Sequence, residues 1–142
     1  MTAYDPNNIF AKILRGELPA HRVYEDDRAL AFLDIMPRAT GHTLVIPKNP
    51  ARNLLDIDAD DLGYVAGIAQ RIARAGMKAF AADGITVQQF NETAGGQVVF
   101  HLHVHVIPRH DGVALRPPAT YKAGQDELVA SAEKIREALK NI

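Results

Sequence analysis

Gln97-Val-Val-Phe-His-Leu-His-Val-His-Val-Ile-Pro-Arg109 holds three of the chain's six histidines, at positions 101, 103 and 105. Leu102, Val104 and Val106 stand between and after them. Side chains alternate faces along a β-strand, so a strand here puts three imidazoles on one face and three aliphatic groups on the other. An apolar face demands a layer to cover it, and the rest of the chain supplies the elements for one.

Ile85 to Asn91 reads as a strand, and Asn91-Glu-Thr-Ala-Gly-Gly-Gln97 as a glycine loop joining it to a long strand over Gln97 to Arg109. The pair is an expected antiparallel hairpin. Before it, Asp58 is suited to cap the longest helix, roughly Ala59 to Ala82, with Asp60 and Asp61 at its positive end and Gly84 as its stop. Leu62, Val65, Ala69, Ile72, Gly76 and Phe80 recur at helical spacing. A second stripe of Ile68, Ala75 and Ala79 widens that face, either as ordinary burial or as a surface small enough for close packing against a twin subunit.

Further upstream, Val23-Tyr24 and Ala29 to Leu33 read as strands joined by Glu25-Asp26-Asp27, and His42 to Ile46 as a third strand stopped by Pro47 and Pro50. Asn8 caps a short first helix that places Ile9, Phe10, Ile13 and Leu14 together and ends at Gly16. After Pro117-Pro118, a final helix near Asp126 to Lys140 carries Leu128, Ala132, Ile135 and Leu139 on one face. This order predicts an α+β fold with a five-stranded antiparallel sheet, one long helix and short terminal helices. It also predicts one domain over 1–142, with a core over about 8–110 and the final helix over about 126–140.

Composition narrows the function. The 142 residues suffice for one real core, and 47% apolar with 23% charged residues is ordinary for a globular domain. A net charge of −1 gives no global field to attract nucleic acid or an anionic membrane. With no cysteine there is no disulfide and no thiolate metal ligand. The stretch Met1 to Asn8 is polar, without the basic-then-apolar order of a secretory signal, and the expectation is a soluble cytoplasmic protein.

Aligned histidines on one strand can be polar decoration, metal ligands or covalent catalysts. Strict alternation beside a glycine loop argues against decoration. Zinc takes histidine readily, but the outer pair on a straight strand lie about 13 Å apart at roughly 3.3 Å per residue. A metal would therefore need His42 or an acid from elsewhere. Neutral imidazole is a competent nucleophile toward phosphorus, and Gly95-Gly96 lets backbone N–H groups approach an anion. Covalent phosphoryl chemistry has all its parts within one hairpin.

His-Leu-His-Val-His-Val-Ile resembles the histidine triad (HIT) signature. Other blocks resemble that family in the same order: Ile9 to Pro19, Tyr24-Glu-Asp-Asp, Ala31 to Ile35, Gly41 to Lys48 and Ala94-Gly-Gly-Gln97. Over about Asn8 to Arg109 the chain is similar to bacterial HIT proteins related to the Hint branch. The resemblance implies a HIT-like fold, a homodimer and a hydrolase or transferase acting on the α-phosphate of purine nucleotide conjugates of AMP or GMP type, with no cofactor and no catalytic metal. It implies His103 as the nucleophile, His101 and His105 as its neighbours in orientation and phosphate contact, and His42 as a supporting fourth histidine. It further implies Asp34 on the ribose hydroxyls, with Ile9, Phe10, Ile13, Phe32, Leu33 and Ile35 around the base. Asn91, Gln97 and position 98 lie near the phosphate by the same resemblance, and Lys48 has a surface or structural role.

Two departures matter. Val98 stands where the family often has serine or threonine, which removes a hydroxyl near the leaving group. Asn8-Ile-Phe-Ala11 stands where some bacterial relatives carry Cys-x-x-Cys for a structural zinc. After the triad, Pro108-Arg109-His110 and the final helix resemble general bacterial and Fhit-like forms more than the narrow Hint branch. Hydrolysis of dinucleoside polyphosphates and nucleotide binding without turnover stay open as alternatives.

Overall fold

A computed structural model describes residues 2–142. Its elements run α1 (Ile9–Leu14), β1 (Arg22–Glu25), β2 (Ala29–Leu33), β3 (Thr43–Pro47), α2 (Ala59–Ala79), β4 (Gly84–Gln88), β5 (Val104–Arg109) and α3 (Gln125–Leu139). A single 3-10 turn spans Thr93–Gly95. The strands form one antiparallel sheet in the order β1-β2-β3-β5-β4. Among the described residues no helix is long and apolar enough to cross a membrane.

Every residue of β2 and β3 is buried because both sheet faces are covered there. Ala29, Ala31, Leu33 and Val45 join Val65, Ile68, Ile72 and Ala75 of α2 and Leu128, Ala132 and Ile135 of α3 in the larger core. Leu30, Phe32, Leu44 and Ile46 face the other way and pack with Phe10 and Ile13 of α1. The strand period of two divides these apolar runs between two cores. Gly76 is where α2 closes on β5: a Cβ there would lie 3.3 Å from Pro108 Cγ.

Several boundaries differ from expectation. The fifth strand is shorter than Gln97 to Arg109, since the sheet takes only Val104–Arg109 and leaves 97–103 irregular. The last β3–β5 pair is Val45 with Val104. Two residues further along β3 comes Pro47, which has no N–H to offer a ladder. The chain instead follows the segment after β3, where the Leu102 N–H donates to the Ala51 carbonyl at 2.8 Å. β4 likewise spans Gly84–Gln88 rather than Ile85 to Asn91, because the Gln89 and Asn91 side-chain amides pair with each other at 2.8 and 3.0 Å.

The long helix ends at Ala79 rather than Ala82, and Gly84 begins β4 instead of stopping the helix. Ala81 takes the left-handed turn at φ 47°, and the Ala82 N–H closes the end on the Met77 carbonyl at 3.1 Å. The stripe of Ile68, Ala75 and Ala79 does not form an outer face. Ala75 is completely buried and Ile68 nearly so, in the core that α3 completes. The final helix reads from Gln125 and keeps Leu128, Ala132 and Ile135 inward.

One glycine is fixed by its surroundings. Gly41 has φ +86°, and a Cβ there would fall onto the Phe80 ring. Left-handed strain and the ring clash act together on Gly41→Ala. That variant is expected to lose about 2 kcal/mol of stability, measured by denaturant unfolding. Adding Phe80→Leu should return part of the loss.

Candidate active site

The site forms on the α1 side of the sheet. His105 in β5 pairs across from Leu44 in β3 and from Gln88 in β4, so these three side chains share that face. His103 precedes the strand but keeps the alternation. Its ring meets Phe10 edge-on at 4.9 Å between centroids and the His105 ring at 5.0 Å. His42, just before β3, lies 5.1 Å from His105 by the same measure.

Hydrogen bonds assign the neutral tautomers. Nδ1 of His103 lies 2.7 Å from the His101 carbonyl, so it carries the proton and Nε2 keeps the lone pair. Nε2 of His101 donates to the Pro47 carbonyl at 2.8 Å, so its Nδ1 accepts from the Tyr4 hydroxyl at 2.7 Å. Nδ1 of His42 accepts from the Arg38 N–H at 3.1 Å. His42 Nε2 then donates to His105 Nδ1 at 2.9 Å, which leaves His105 with Nε2–H. Among the described residues neither Nε2 of His103 nor Nε2 of His105 has a partner. Among the described residues no fully buried side-chain nitrogen or oxygen is unpartnered, so both atoms reach solvent. A lone pair and an N–H donor thus open side by side.

Burial keeps the cluster neutral. Desolvation lowers His101 and His42 to about 4 each and His105 to about 3, and it lowers His103 as well. The Arg38 guanidinium adds to the lowering of His42 and His105. Burial acts oppositely on Asp34 and raises its carboxyl, while the Met36 N–H, bonded at 2.8 Å, partly opposes the rise.

The other expected residues separate into groups. Phe10, Ile13 and Phe32 are brought together beside His103. Ile9 and Ile35 are exposed, at 50% and 49%. Leu33 is not with them, because strand alternation turns it to the opposite face into the α2 core. Asp34 Oδ2 lies 3.7 Å from His42 Nε2. Asn91 holds the loop by accepting from the Leu54 N–H at 2.8 Å. Gln97 is buried with its amide fully engaged: Nε2 donates to the Arg52 and Val99 carbonyls, and Oε1 accepts from Asn53 and the Glu92 N–H. Its side chain therefore shapes the glycine loop from within rather than facing a ligand. Val98 is 83% exposed. Lys48 pairs with Glu25 at 2.8 Å on the surface.

Sequence reasoning missed Tyr4, Arg38 and the Arg52–Glu92 ion pair that braces the loop at 2.8 Å. Each lies in an irregular segment with no periodicity to mark it; the partners of Tyr4 and Arg52 are 40 or more residues away, and Arg38 meets His42 through its main-chain N–H, which residue identity does not reveal.

Asp34, His42 and His105 offer ligand atoms within 4.8 Å of one another, as a metal site would. The tautomers do not fit one. A metal on His42 Nε2 needs the proton on Nδ1, where the Arg38 N–H already points.

The HIT domain model matches residues 15–112. The chain belongs to the HIT family. A Hit-like protein from Bartonella henselae, involved in cell-cycle regulation, is 56% identical over 96% of this chain and 99% of its own, with a TM-score of 0.93. A zinc-bound histidine triad family protein from Mycobacterium smegmatis is 37% identical over 95% and 94%, with a TM-score of 0.83. A hypothetical histidine triad nucleotide-binding protein from Sulfolobus tokodaii is 34% identical over 94% and 92%, with a TM-score of 0.85. The five-stranded antiparallel sheet of this chain is the HIT fold.

Neutral burial of the histidines sets the pH dependence of this HIT protein's stability. Each of the four titrates near 6.5 when unfolded and lower when folded. Between those values the unfolded chain binds more protons, so stability is whole above pH 6.5 and is lost as pH falls toward 4. Calorimetry at stepped pH should show Tm falling through this window. His105→Asn should give a shallower fall, and an equal slope would contradict the assignment.

Proposed function

We propose that this HIT protein is a nucleotidyl hydrolase that splits purine nucleoside phosphoramidates through a nucleotidyl-histidine intermediate. The observation that carries it is the His103 tautomer, whose Nδ1–H is held by the His101 carbonyl while the Nε2 lone pair is open to solvent. Nε2 attacks the α-phosphorus, the P–N bond to the leaving amine breaks, and the amine takes up a proton. Water then attacks the same phosphorus, the histidine–phosphorus bond breaks, and nucleotide leaves. The neighbouring His105 Nε2–H is suited to a phosphoryl oxygen. Phe10, Ile13 and Phe32, with the exposed Ile9 and Ile35, suit the base, and Asp34 suits the ribose hydroxyls. Neutral imidazole at pH 7 meets the nucleophile's requirement without a metal. The nucleotide-binding name of the Sulfolobus tokodaii relative supports the ligand class.

One feature favours dinucleoside polyphosphates as a second substrate class. The Arg38 guanidinium is held by the Arg116 carbonyl at 2.8 Å and the Gln88 side chain at 3.5 Å, both uncharged, and its charge reaches His42 and His105. An anionic leaving group would meet that charge, whereas Val98 offers it no hydroxyl.

We further propose a cytoplasmic homodimer. With Ile68 and Ala75 buried by α3, a twin would meet the edge of β4, where Val87 is 58% exposed, and the outer face of α2 with Gly63, Ala66 and Gly67.

Release of amine from adenosine 5′-phosphoramidate with chelator present tests the activity. Wild type should turn over, and His103→Ala should be slower by at least about a thousandfold. Binding of AMP with no turnover of either substrate class would leave a nucleotide binder and end the hydrolase proposal.

A further inference from the structure

The His103 nucleophile is placed by a backbone carbonyl that the sheet does not hold. Residues 97–103 lie outside β5, so no strand ladder fixes His101. Its main chain is held through the next residue, whose N–H, in the same planar peptide unit as the His101 carbonyl, donates to the Ala51 carbonyl at 2.8 Å, and its side chain is held by the ring, completely buried and bonded at both nitrogens. Nε2–H donates to the Pro47 carbonyl at 2.8 Å, and Nδ1 accepts from the Tyr4 hydroxyl at 2.7 Å. The Tyr4 ring also meets the His101 ring edge-on at 5.6 Å. Asn8 supports this contact from the start of α1. Its Nδ2 donates to the Tyr4 hydroxyl at 3.0 Å, while its Oδ1 caps the helix at the Ala11 N–H at 2.9 Å. A neutral imidazole has one donor and one acceptor nitrogen, so a hydroxyl that donates to Nδ1 selects the Nε2–H form. That form is the one the Pro47 carbonyl needs. The His101 carbonyl, three bonds from the ring, takes the His103 Nδ1–H at 2.7 Å.

We propose that Tyr4 is a positioning residue for His103: oriented by Asn8, its hydroxyl locks the His101 ring and thereby the carbonyl that aims the His103 lone pair. The proposal rests on the role given to His103 above. Without the hydroxyl, Nδ1 of a completely buried ring has no donor and the ring loses one anchor; His101 then rests on its Pro47 bond and on the Leu102 N–H bond to Ala51, and a small shift of its carbonyl is shared by His103. Misplacing a reacting atom by a fraction of an ångström slows the chemical step more than it weakens binding.

Tyr4→Phe tests this, since it keeps the ring contact and removes only the hydroxyl. In adenosine 5′-phosphoramidate turnover, kcat is expected to fall about tenfold with KM within about twofold, the pattern of an interaction that serves the chemical step. Nitrogen-15 NMR should show the His101 Nδ1 resonance moving toward that of an unbonded ring nitrogen, at unchanged far-ultraviolet circular dichroism. Asn8→Asp keeps an oxygen to cap α1 and deletes the N–H, and it should move kcat the same way by a smaller factor. Wild-type kcat in Tyr4→Phe, or His101 nitrogen resonances unchanged by it, overturns the proposal. If wild type binds AMP but releases no amine, the hydrolase reading fails by itself, and the His101 resonances still decide whether the Tyr4 hydroxyl holds Nδ1.

Discussion

The hydrogen bond from His103 Nδ1 to the His101 carbonyl is the contact on which the site depends. It decides which nitrogen of His103 is free. Both of its partners lie in the segment just before β5, the strand that carries His105. The three alternating histidines therefore do three different things. His101 is an anchor with both ring nitrogens engaged, His103 presents a lone pair, and His105 presents an N–H relayed from His42. Equal spacing in the sequence does not produce equal roles, because each ring meets different partners at its second nitrogen.

The packing around this face gives the cluster its electrostatic character. α1 brings Phe10 against His103, and loop residues 34–42 bring His42 and Arg38 against His105. Removing water from four imidazoles without a bonded carboxylate leaves them neutral, and the Arg38 charge reinforces this. The same burial that favours a neutral nucleophile weakens the fold in acid. Stability and chemistry draw on one desolvated cluster, three of whose ring nitrogens bond main-chain groups of Pro47, Arg38 and His101.

Most of the architecture was legible in the sequence because it follows from short-range periodicity. The caps at Asn8 and Asp58, the hydrophobic repeats of α2 and α3, and the strands β2 and β3 appear close to where their residues predict. Errors collect where a distant partner overrides a local pattern. The alternation of Gln97 to Arg109 is strand-like throughout, yet Pro47 on the neighbouring strand cannot supply the ladder. Leu33 looks equivalent to Phe32 as a pocket residue, but one step along a strand reverses the face. The small-residue stripe of α2 reads equally as ordinary burial or as a surface, and α3, more than 40 residues later, decides for burial.

By itself the sequence determined the fold class, the family, and the alternation that sets three histidines on one face. These depend on residue identity and on the fixed geometry of strands and helices. Only the tertiary structure decided which nitrogen of each ring is free, why Asp34, His42 and His105 do not suit a metal, and that Tyr4 reaches His101 across 97 positions of sequence. A ring's tautomer is set by the donor or acceptor that packing brings to its other nitrogen, and nothing local in the chain encodes that partner.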